Sequence, residues 1–371
     1  MPNNISKYLL VIFAVLAFAC HSRSQTQYSY RNIPAKYLPG KLPATILVEL
    51  ELAKKQAFDV TNMLPSDFVK DGSVDYTTSI QAALNAHSIV MMPDFPVMVN
   101  DSGLTINNGQ VLIFNSHSSL YLKPSALPAY EILRIHKVHN VTVYNPVIYG
   151  DKEQHLGNSG QWGMGIAIRA SENVRIIGPK ISKCWGDGLY VGQMAKQPSR
   201  SIYIINATID NNRRNGISIT SAKNVLINDG VVANAKGQMP MSGIDVEPNF
   251  QDDVIDSISI SNVITWNNPK YGIVISLQKL AGRKQGQTAI NINHHTDEYS
   301  GHGMAVIGKP GNAVLTGKIE VANSQWLNNT EGPIRLPVRS YGTKVKFKNV
   351  KTVDNDKVRL LLKSQPDIDF D

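Results

Sequence analysis

The chain has 371 residues, of which 42% are hydrophobic and 18% are charged, so it can bury a large core and does not have the composition of a disordered protein. Its formal net charge is +8, but the excess Lys and Arg residues are scattered. They form no long basic run and no aromatic–basic motif, which argues against a nucleic-acid-binding protein. A mildly basic surface is compatible with an anionic partner.

The first twenty residues have the order of a secretory signal. Lys7 precedes an apolar run, YLLVIFAVLAFA, which is too short to span a bilayer. The run ends in LAFAC, which resembles a bacterial lipobox, so we predict that residues 1–19 are a lipoprotein-type signal peptide and that Cys20 is lipidated. The protein would then be exported and anchored to a membrane by lipid, with the outer membrane as the expected site. The other cysteine, Cys184, is predicted to be a buried, unreactive side chain.

Residues 20–58 are predicted to be an N-terminal linker or extension. The segment that follows them, 67–99, reads DFVKDGSVDYTTSIQAALNAHSIVMMPDFPVMV. Ile80, Ala83 and Leu84 recur at helical spacing in it, ahead of an apolar strand and a proline. We therefore predict a short helix near residues 76–86.

Two repeats occupy the middle of the chain. In the first, a glycine precedes alternating apolar and small residues, and the glycines recur every 23–31 residues at Gly165, Gly188, Gly216, Gly243, Gly272 and Gly303. In the second, asparagines recur in two columns, one with Asn145, Asn206, Asp229, Asn262 and Asn323, the other with Asn211, Asn234, Asn267 and Asn328. Asparagine tolerates left-handed turn conformations, and its amide can bond its counterpart in a stacked repeat.

Short alternating strands with this period predict an all-β solenoid, because one unit is too small to bury a face alone. A propeller needs longer units, and a leucine-rich horseshoe needs a leucine frame that is absent. We predict a right-handed, single-stranded parallel β-helix over residues 59–371, with stacked coils from about Gln110 to Lys351. One interior column is predicted to contain Ile168, Val191, Ile219, Val246 and Ile275.

The segment 67–99 and the repeats together resemble the right-handed parallel β-helix proteins of the pectate-lyase superfamily. The shared features are a DG…D.T..IQ.A helix and a strand ending near a proline, although DFPVMV replaces the usual Gly-x-Tyr. The resemblance extends from about Asp59 to Asn329 and implies that the helix caps the open end of the solenoid. The resemblance says little about function, because the superfamily includes lyases, hydrolases, epimerases and phage tailspikes.

Functional side chains concentrate on one predicted strand face. In GIDVEPN, alternation buries Ile244 and Val246 and points Asp245 and Glu247 outward together. The predicted catalytic residues are Asp187, Asp245, Glu247 and Arg214, and the predicted substrate-binding residues are Tyr190, Arg213, Asn249, His155 and Trp162. Two outward carboxylates on one strand repel unless a cation, an arginine or a substrate hydroxyl lies between them. Alone, Asp187 could equally be a turn residue.

The first functional hypothesis is an exported polysaccharide lyase that acts on an acidic, uronate-containing polymer. The arginines would neutralise the uronate, and Asp187, Asp245 and Glu247 could hold Ca²⁺, although no cofactor is certain. The second is a glycoside hydrolase that uses two carboxylates. The third is a non-catalytic glycan-binding or structural surface protein. His302, within GHG, and the pair His294 and His295 are weaker candidates for a catalytic and a metal site.

Overall fold

The computed structural model describes residues 28–280, 287–307, 316–336, 343–352 and 368–370. These residues contain the helices α1 (Ala44–Lys54) and α2 (Thr77–Ala86) and short 3-10 helices at Ala35–Tyr37, Val60–Met63 and Gln278–Leu280. The strands, in chain order, are β1 (Phe58–Asp59), β2 (Ile89–Met91), β3 (Pro96–Val99), β4 (Leu104–Thr105), β5 (Val111–Ile113), β6 (Ser119–Leu122), β7 (Ala129–His136), β8 (His139–Tyr144), β9 (Val147–Tyr149), β10 (Trp162–Arg169), β11 (Glu172–Ile177), β12 (Lys180–Ser182), β13 (Leu189–Gly192), β14 (Ser199–Asp210), β15 (Ile217–Ile219), β16 (Ala222–Ala233), β17 (Ser242–Val246), β18 (Ile255–Trp266), β19 (Tyr271–Ser276), β20 (Gln287–Asn293), β21 (Thr296–Glu298), β22 (His302–Ile307), β23 (Thr316–Ala322), β24 (Gln325–Leu327), β25 (Gly332–Arg335), β26 (Lys344–Lys348), β27 (Lys351–Thr352) and β28 (Ile368–Phe370). None of the helices in this part of the chain is long and apolar enough to cross a membrane.

The strands form two parallel sheets that wrap around one core. A nine-stranded sheet consists of β4, β7, β10, β13, β15, β17, β19, β22 and β25, and the other nineteen strands form the second sheet. One coil contains a short strand of the nine-stranded sheet and a longer, bent part of the nineteen-stranded sheet. β14, for example, bends at Asn206, whose φ is +57°. The predicted right-handed parallel β-helix is confirmed.

The predicted interior column is also confirmed. Ile168 pairs with Val191, Val191 with Ile219, Ile219 with Val246 and Val246 with Ile275, and all five side chains are fully buried. Alternation along each strand turns these side chains inward and their neighbours outward. Burying one such side chain stabilises the fold by about 1.5–3 kcal/mol.

The asparagine columns mark the left-handed corners of the coils. Positive φ angles occur at Asn145, Gly178, Asn206, Asp229, Asn262, His294 and Asn323 in one column and at Asn211, Asn234, Asn267 and Asn328 in the other. The expected amide ladder is present where Asn267 Nδ2 donates to Asn234 Oδ1 at 2.7 Å. His294 is therefore a corner residue, and its position follows from backbone geometry.

The capping helix lies where it was predicted. Helix α2 spans Thr77–Ala86 and buries Ile80, Ala83 and Leu84 in the core. The stack of coils begins earlier than Gln110, because β2 pairs with β5 and β3 with β6. The run SIVMMPDFPVMV therefore supplies strands of the first coil.

The N-terminal extension is more ordered than a linker. Residues 28–57, which we call the N-terminal strap, lie against the outer side of the nineteen-stranded sheet. Helix α1 packs Ile46 and Leu50 into a cluster with Ile113, Tyr144 and Ile177. The prediction missed α1, because the sequence ATILVELELAK is apolar on more than one side of the helix and lacks a clear amphipathic stripe.

Candidate active site

A cavity of about 380 Å³ opens on the nine-stranded sheet, next to β10, β13, β15 and β17. The predicted residues that line it are Trp162, Tyr190, Arg214, Asp245, Glu247 and Asn249. Strand register explains why they meet: Tyr190, Ser218 and Asp245 occupy the same outward position in three successive coils. The predicted orientation of Asp245 and Glu247 is therefore correct, with the alternating residues Ile244 and Val246 buried in the core.

Asp187 is the innermost acid of the site. Its carboxylate is fully buried and accepts from Arg214 Nη1 at 2.9 and 3.2 Å and from the backbone N–H of Asn215 at 3.1 Å. Burial raises the pKa of Asp187, and the Arg214 guanidinium opposes that shift. Asp187 does not line the cavity, so we interpret it as the residue that positions Arg214.

Asp245 is the acid with an unusual environment. Its Oδ2 accepts from Asn215 Nδ2 at 2.9 Å, whereas its Oδ1 has no hydrogen-bond partner among the described residues. Burial, with smaller contributions from Glu247 and Asp187, raises the pKa of Asp245 to about 8, and Arg214 opposes this. Burial therefore favours the neutral form of Asp245, and in that form the unpartnered Oδ1, itself a buried atom, can carry the proton.

Glu247 differs from Asp245 in exposure. Its side chain is 41% exposed, and Oε2 lies 4.0 Å from Arg214 Nη2. The same Nη2 atom lies 3.7 Å from Asp245 Oδ2. The two carboxyl groups therefore have oxygens no more than about 8 Å apart, a limit compatible with the separations of the two carboxyl groups of glycoside hydrolases.

The cluster of Asp187, Asp245 and Glu247 is not arranged as a metal site. The Arg214 guanidinium lies among Asp187, Asp245 and Glu247, where a Ca²⁺ ion would have to bind. The described residues contain no group of three or more His, Cys, Asp or Glu side chains arranged to hold a metal. We therefore do not retain the prediction of Ca²⁺ at these three acids.

Polar side chains also line the cavity next to the acids. The Tyr190 hydroxyl lies 2.7 Å from Thr220 Oγ1, and Asn249 Nδ2 donates to that hydroxyl at 3.5 Å. The Arg169 guanidinium stacks on the Tyr190 ring at 4.1 Å. A Cβ atom on Gly192 would lie too close to the Tyr190 ring, so the glycine leaves room for the tyrosine. Hydroxyl and amide groups of this kind suit the hydroxyls of a sugar.

Residues 97–279 match the family model described as "Right handed beta helix region". The chain carries a right-handed β-helix domain. The predicted resemblance to the β-helix proteins of the pectate-lyase superfamily is thereby confirmed for the fold.

Among curated proteins, "Uncharacterized protein YclG" of Bacillus subtilis (strain 168) is 28% identical over 191 residues, which are 47% of this chain and 32% of that protein. The match thus spans about a third of the relative's length.

Two solved structures resemble the β-helix domain. The N-terminal fragment of gene product 12 of bacteriophage Phi29 has a TM-score of 0.61 and 16% identity, with 83% of this chain and 59% of that chain covered. The tailspike protein gp49 of the Acinetobacter baumannii bacteriophage Fri1 is a capsular polysaccharide depolymerase. It has a TM-score of 0.51 and 12% identity, with 85% of this chain and 62% of that chain covered. At these identities the likeness shows the fold alone.

Two predicted substrate-binding residues do not reach the cavity of the β-helix domain. Arg213 stacks on the Trp185 ring at 3.7 Å and donates to the carbonyl of Gly160 at 2.9 Å, so it holds the loop 150–163. The His155 side chain is only 1% exposed, because it pairs with Asp151 at 2.8 Å and stacks on Trp185. The partners of both side chains come from a neighbouring loop, which the strand pattern does not reveal.

The sequence prediction also missed residues that line the cavity. These are Ala129, Gln161, Arg169, Gln193, Thr220 and Phe250. Arg169 and Thr220 fall in the outward column of Glu247, so strand register could have found them. Phe250 is 56% exposed and lies in the loop after β17, where no repeat gives a signal.

The remaining candidates have structural roles. His295 is fully buried, where it lies 2.8 Å from Thr265 Oγ1 and accepts from Trp326 Nε1 at 3.1 Å. His302 lies 3.5 Å from Glu331 and does not line the cavity. Cys184 is fully buried, and burial raises the pKa of its thiol, as expected of an unreactive side chain.

Proposed function

We propose that this protein binds a polysaccharide along the nine-stranded sheet and hydrolyses it, with Asp245 as the general acid. The observation that carries this proposal is Asp245, a cavity-lining acid whose buried Oδ1 has no hydrogen-bond partner among the described residues, beside the exposed carboxylate of Glu247. Asp245 would donate its proton to the glycosidic oxygen as the bond to the sugar carbon breaks. Glu247 would either take a proton from the water that attacks the sugar carbon, or attack that carbon itself. In the second case water, deprotonated by the Asp245 carboxylate, would then hydrolyse the glycosyl ester and free Glu247.

The charges in the cavity favour hydrolysis over the β-elimination that the sequence favoured. A lyase needs a cation free to neutralise the uronate carboxylate, but Arg214 already pairs with Asp187, and Arg169 Nε already donates to Glu131 at 2.8 Å. Each arginine therefore already has a carboxylate as its counter-charge, so neither is a cation left over for a uronate. A neutral sugar at the cleaved bond therefore fits the site better, while acidic sugars elsewhere in the polymer remain compatible with the basic chain.

The fold comparison gives independent support for a polysaccharide partner. The tailspike gp49, with a similar fold, is a capsular polysaccharide depolymerase. A β-helix presents a long, regular strand face, and an extended polymer can lie along it. The exposed Trp162 and Phe250 side chains on the cavity lining would stack on sugar rings.

The test is a panel of neutral and acidic polysaccharides incubated with the purified protein. We expect new reducing ends from one or more of them without the ultraviolet absorbance of an unsaturated product. Reducing ends together with that absorbance would instead identify a lyase. Tight binding to a polysaccharide with no new ends would establish the non-catalytic alternative.

We also propose that the protein is exported and anchored through lipid on Cys20, which lies outside the described residues. The support is the order of Lys7, the apolar run and LAFAC. We expect the wild-type protein to require detergent for extraction from membranes, whereas Cys20→Ser is extracted by high salt alone, since acyl chains supply most of the anchoring free energy. A detergent requirement that survives Cys20→Ser would contradict the lipid anchor.

A further inference from the structure

The outer side of helix α1 carries large apolar side chains that are exposed in the described structure. The helix turns Ile46 and Leu50 toward the nineteen-stranded sheet. On its other sides Leu47, Val48 and Leu52 are 43%, 61% and 53% exposed. Val48 and Leu52 are four residues apart and so lie side by side on one helix face. Val48 and Leu52 therefore form a small apolar patch on the side of α1 that faces away from the sheet, and Leu47 is exposed about 100° further round the helix.

The N-terminal strap that carries this patch is basic. It contains five cationic residues, Arg31, Lys36, Lys41, Lys54 and Lys55, and two acidic ones, Glu49 and Glu51, for a net charge of +3. Both acids are already paired, Glu49 with Arg175 and Glu51 with Lys54, each at 2.8 Å. An apolar stripe flanked by lysines is the composition of a helix that lies in a membrane interface.

The strap is also close in sequence to the predicted anchor at Cys20. It begins at Tyr28, eight residues after Cys20, and eight residues span at most about 28 Å. Tyr28 is itself fixed to the solenoid, since its hydroxyl donates to Asn234 Oδ1 at 3.2 Å. The strap packs on the nineteen-stranded sheet, whereas the cavity opens on the nine-stranded sheet.

We propose that α1 is a membrane-contact surface, in which Leu47, Val48 and Leu52 enter the headgroup region of an anionic bilayer. The proposal rests on the lipid anchor at Cys20 for its biological setting but not on the proposed hydrolysis. A lipid anchor alone leaves the domain free to rotate on its tether, and a second contact removes that freedom. The nineteen-stranded sheet then lies toward the bilayer, and the cavity opens away from its surface, toward a polymer.

The test uses the mature chain, residues 20–371 with Cys20→Ser, so that acyl chains do not obscure the helix. We expect it to co-sediment with vesicles of phosphatidylethanolamine and phosphatidylglycerol and to dissociate as salt is raised. Val48→Gln/Leu52→Gln should lower the partition coefficient by about tenfold or more, because the apolar contribution to insertion is removed.

Leu127→Gln/Leu156→Gln is the matched control. These leucines are 46% and 72% exposed but lie outside the strap, so their replacement should leave vesicle binding unchanged. Equal loss in both double variants, or no loss in either, would overturn the proposal. So would sedimentation of the mature chain as a dimer that Val48→Gln/Leu52→Gln dissociates, because a second copy would then cover α1. If the double variant failed to fold, Val48→Gln alone, at the most exposed position, would carry the same test.

Discussion

Asp245→Asn is expected to lower turnover of the cleaved polysaccharide by about 100-fold or more while the protein stays folded. The amide cannot donate an acidic proton to a leaving oxygen, yet its carbonyl can still accept from Asn215 Nδ2, as Oδ2 does now at 2.9 Å. Glu247→Gln should cause a loss of similar size, because it removes the second carboxylate. Initial rates of reducing-end release measure both effects.

Asp252→Asn is the control for this experiment. It makes the same chemical change on the same side of the solenoid, but Asp252 is half exposed, 3.8 Å from Lys196, and does not line the cavity. It should retain wild-type turnover. Full activity in Asp245→Asn would place the proton donor elsewhere and contradict the proposed mechanism.

The pH dependence of stability gives a second readout for Asp245. Its pKa is about 8 in the folded chain and close to 4 in an unfolded one, so the folded chain binds more protons between these values. Wild-type stability should therefore fall as the pH rises from about 4 to about 8, and Asp245→Asn should lack this contribution. We expect the variant to gain melting temperature relative to wild type as pH rises. Wild-type turnover should also decline above about pH 8, as Asp245 loses its proton.

Arg214→Gln is expected to destabilise the fold at neutral pH by about 3–5 kcal/mol, because it leaves Asp187 buried without its counter-charge. The loss should shrink as the pH is lowered, since burial already raises the pKa of Asp187 and protonation removes the stranded charge. Urea unfolding at several pH values measures both the loss and its pH dependence.

Arg213→Gln is the matched control in the adjacent position. Arg213 contacts the Trp185 ring and two backbone carbonyls, so its removal strands no carboxylate. We expect a pH-independent loss of about 1 kcal/mol. Equal, pH-independent losses in the two variants would show that Arg214 does not neutralise Asp187.

Which of the two arginines neutralises the buried acids could not be read from the dipeptide itself. Adjacent residues point in different directions, and only the folded chain shows that Arg214 faces the acids while Arg213 faces the loop 150–163. The proposed preference for hydrolysis over elimination likewise rests on contacts that only the folded chain reveals. The sequence shows basic and acidic residues in one region, whereas the choice depends on which of them are already paired.

The solenoid, its interior column and its corners could all be predicted from the sequence. These follow from local rules: a period of two puts Ile219 and Val246 inside, and the left-handed corners select residues such as Asn206 and Asn267. Because parallel coils repeat the same register, alternation also placed Asp245 and Glu247 on one outward face. A repeat fold makes such residues predictable, since neighbours in space are one period apart in sequence.

Which side chains line the cavity, and which segment covers the nineteen-stranded sheet, could be seen only in the folded chain. Phe250 enters the lining from a loop, His155 leaves it by stacking under Trp185, and α1 packs on Tyr144 and Ile177, about one hundred or more residues away in sequence. Loops and the N-terminal strap do not follow the repeat, so no period relates them to their neighbours. Their contacts depend on the shape of the assembled solenoid, and for that reason they became visible only once the coils were stacked.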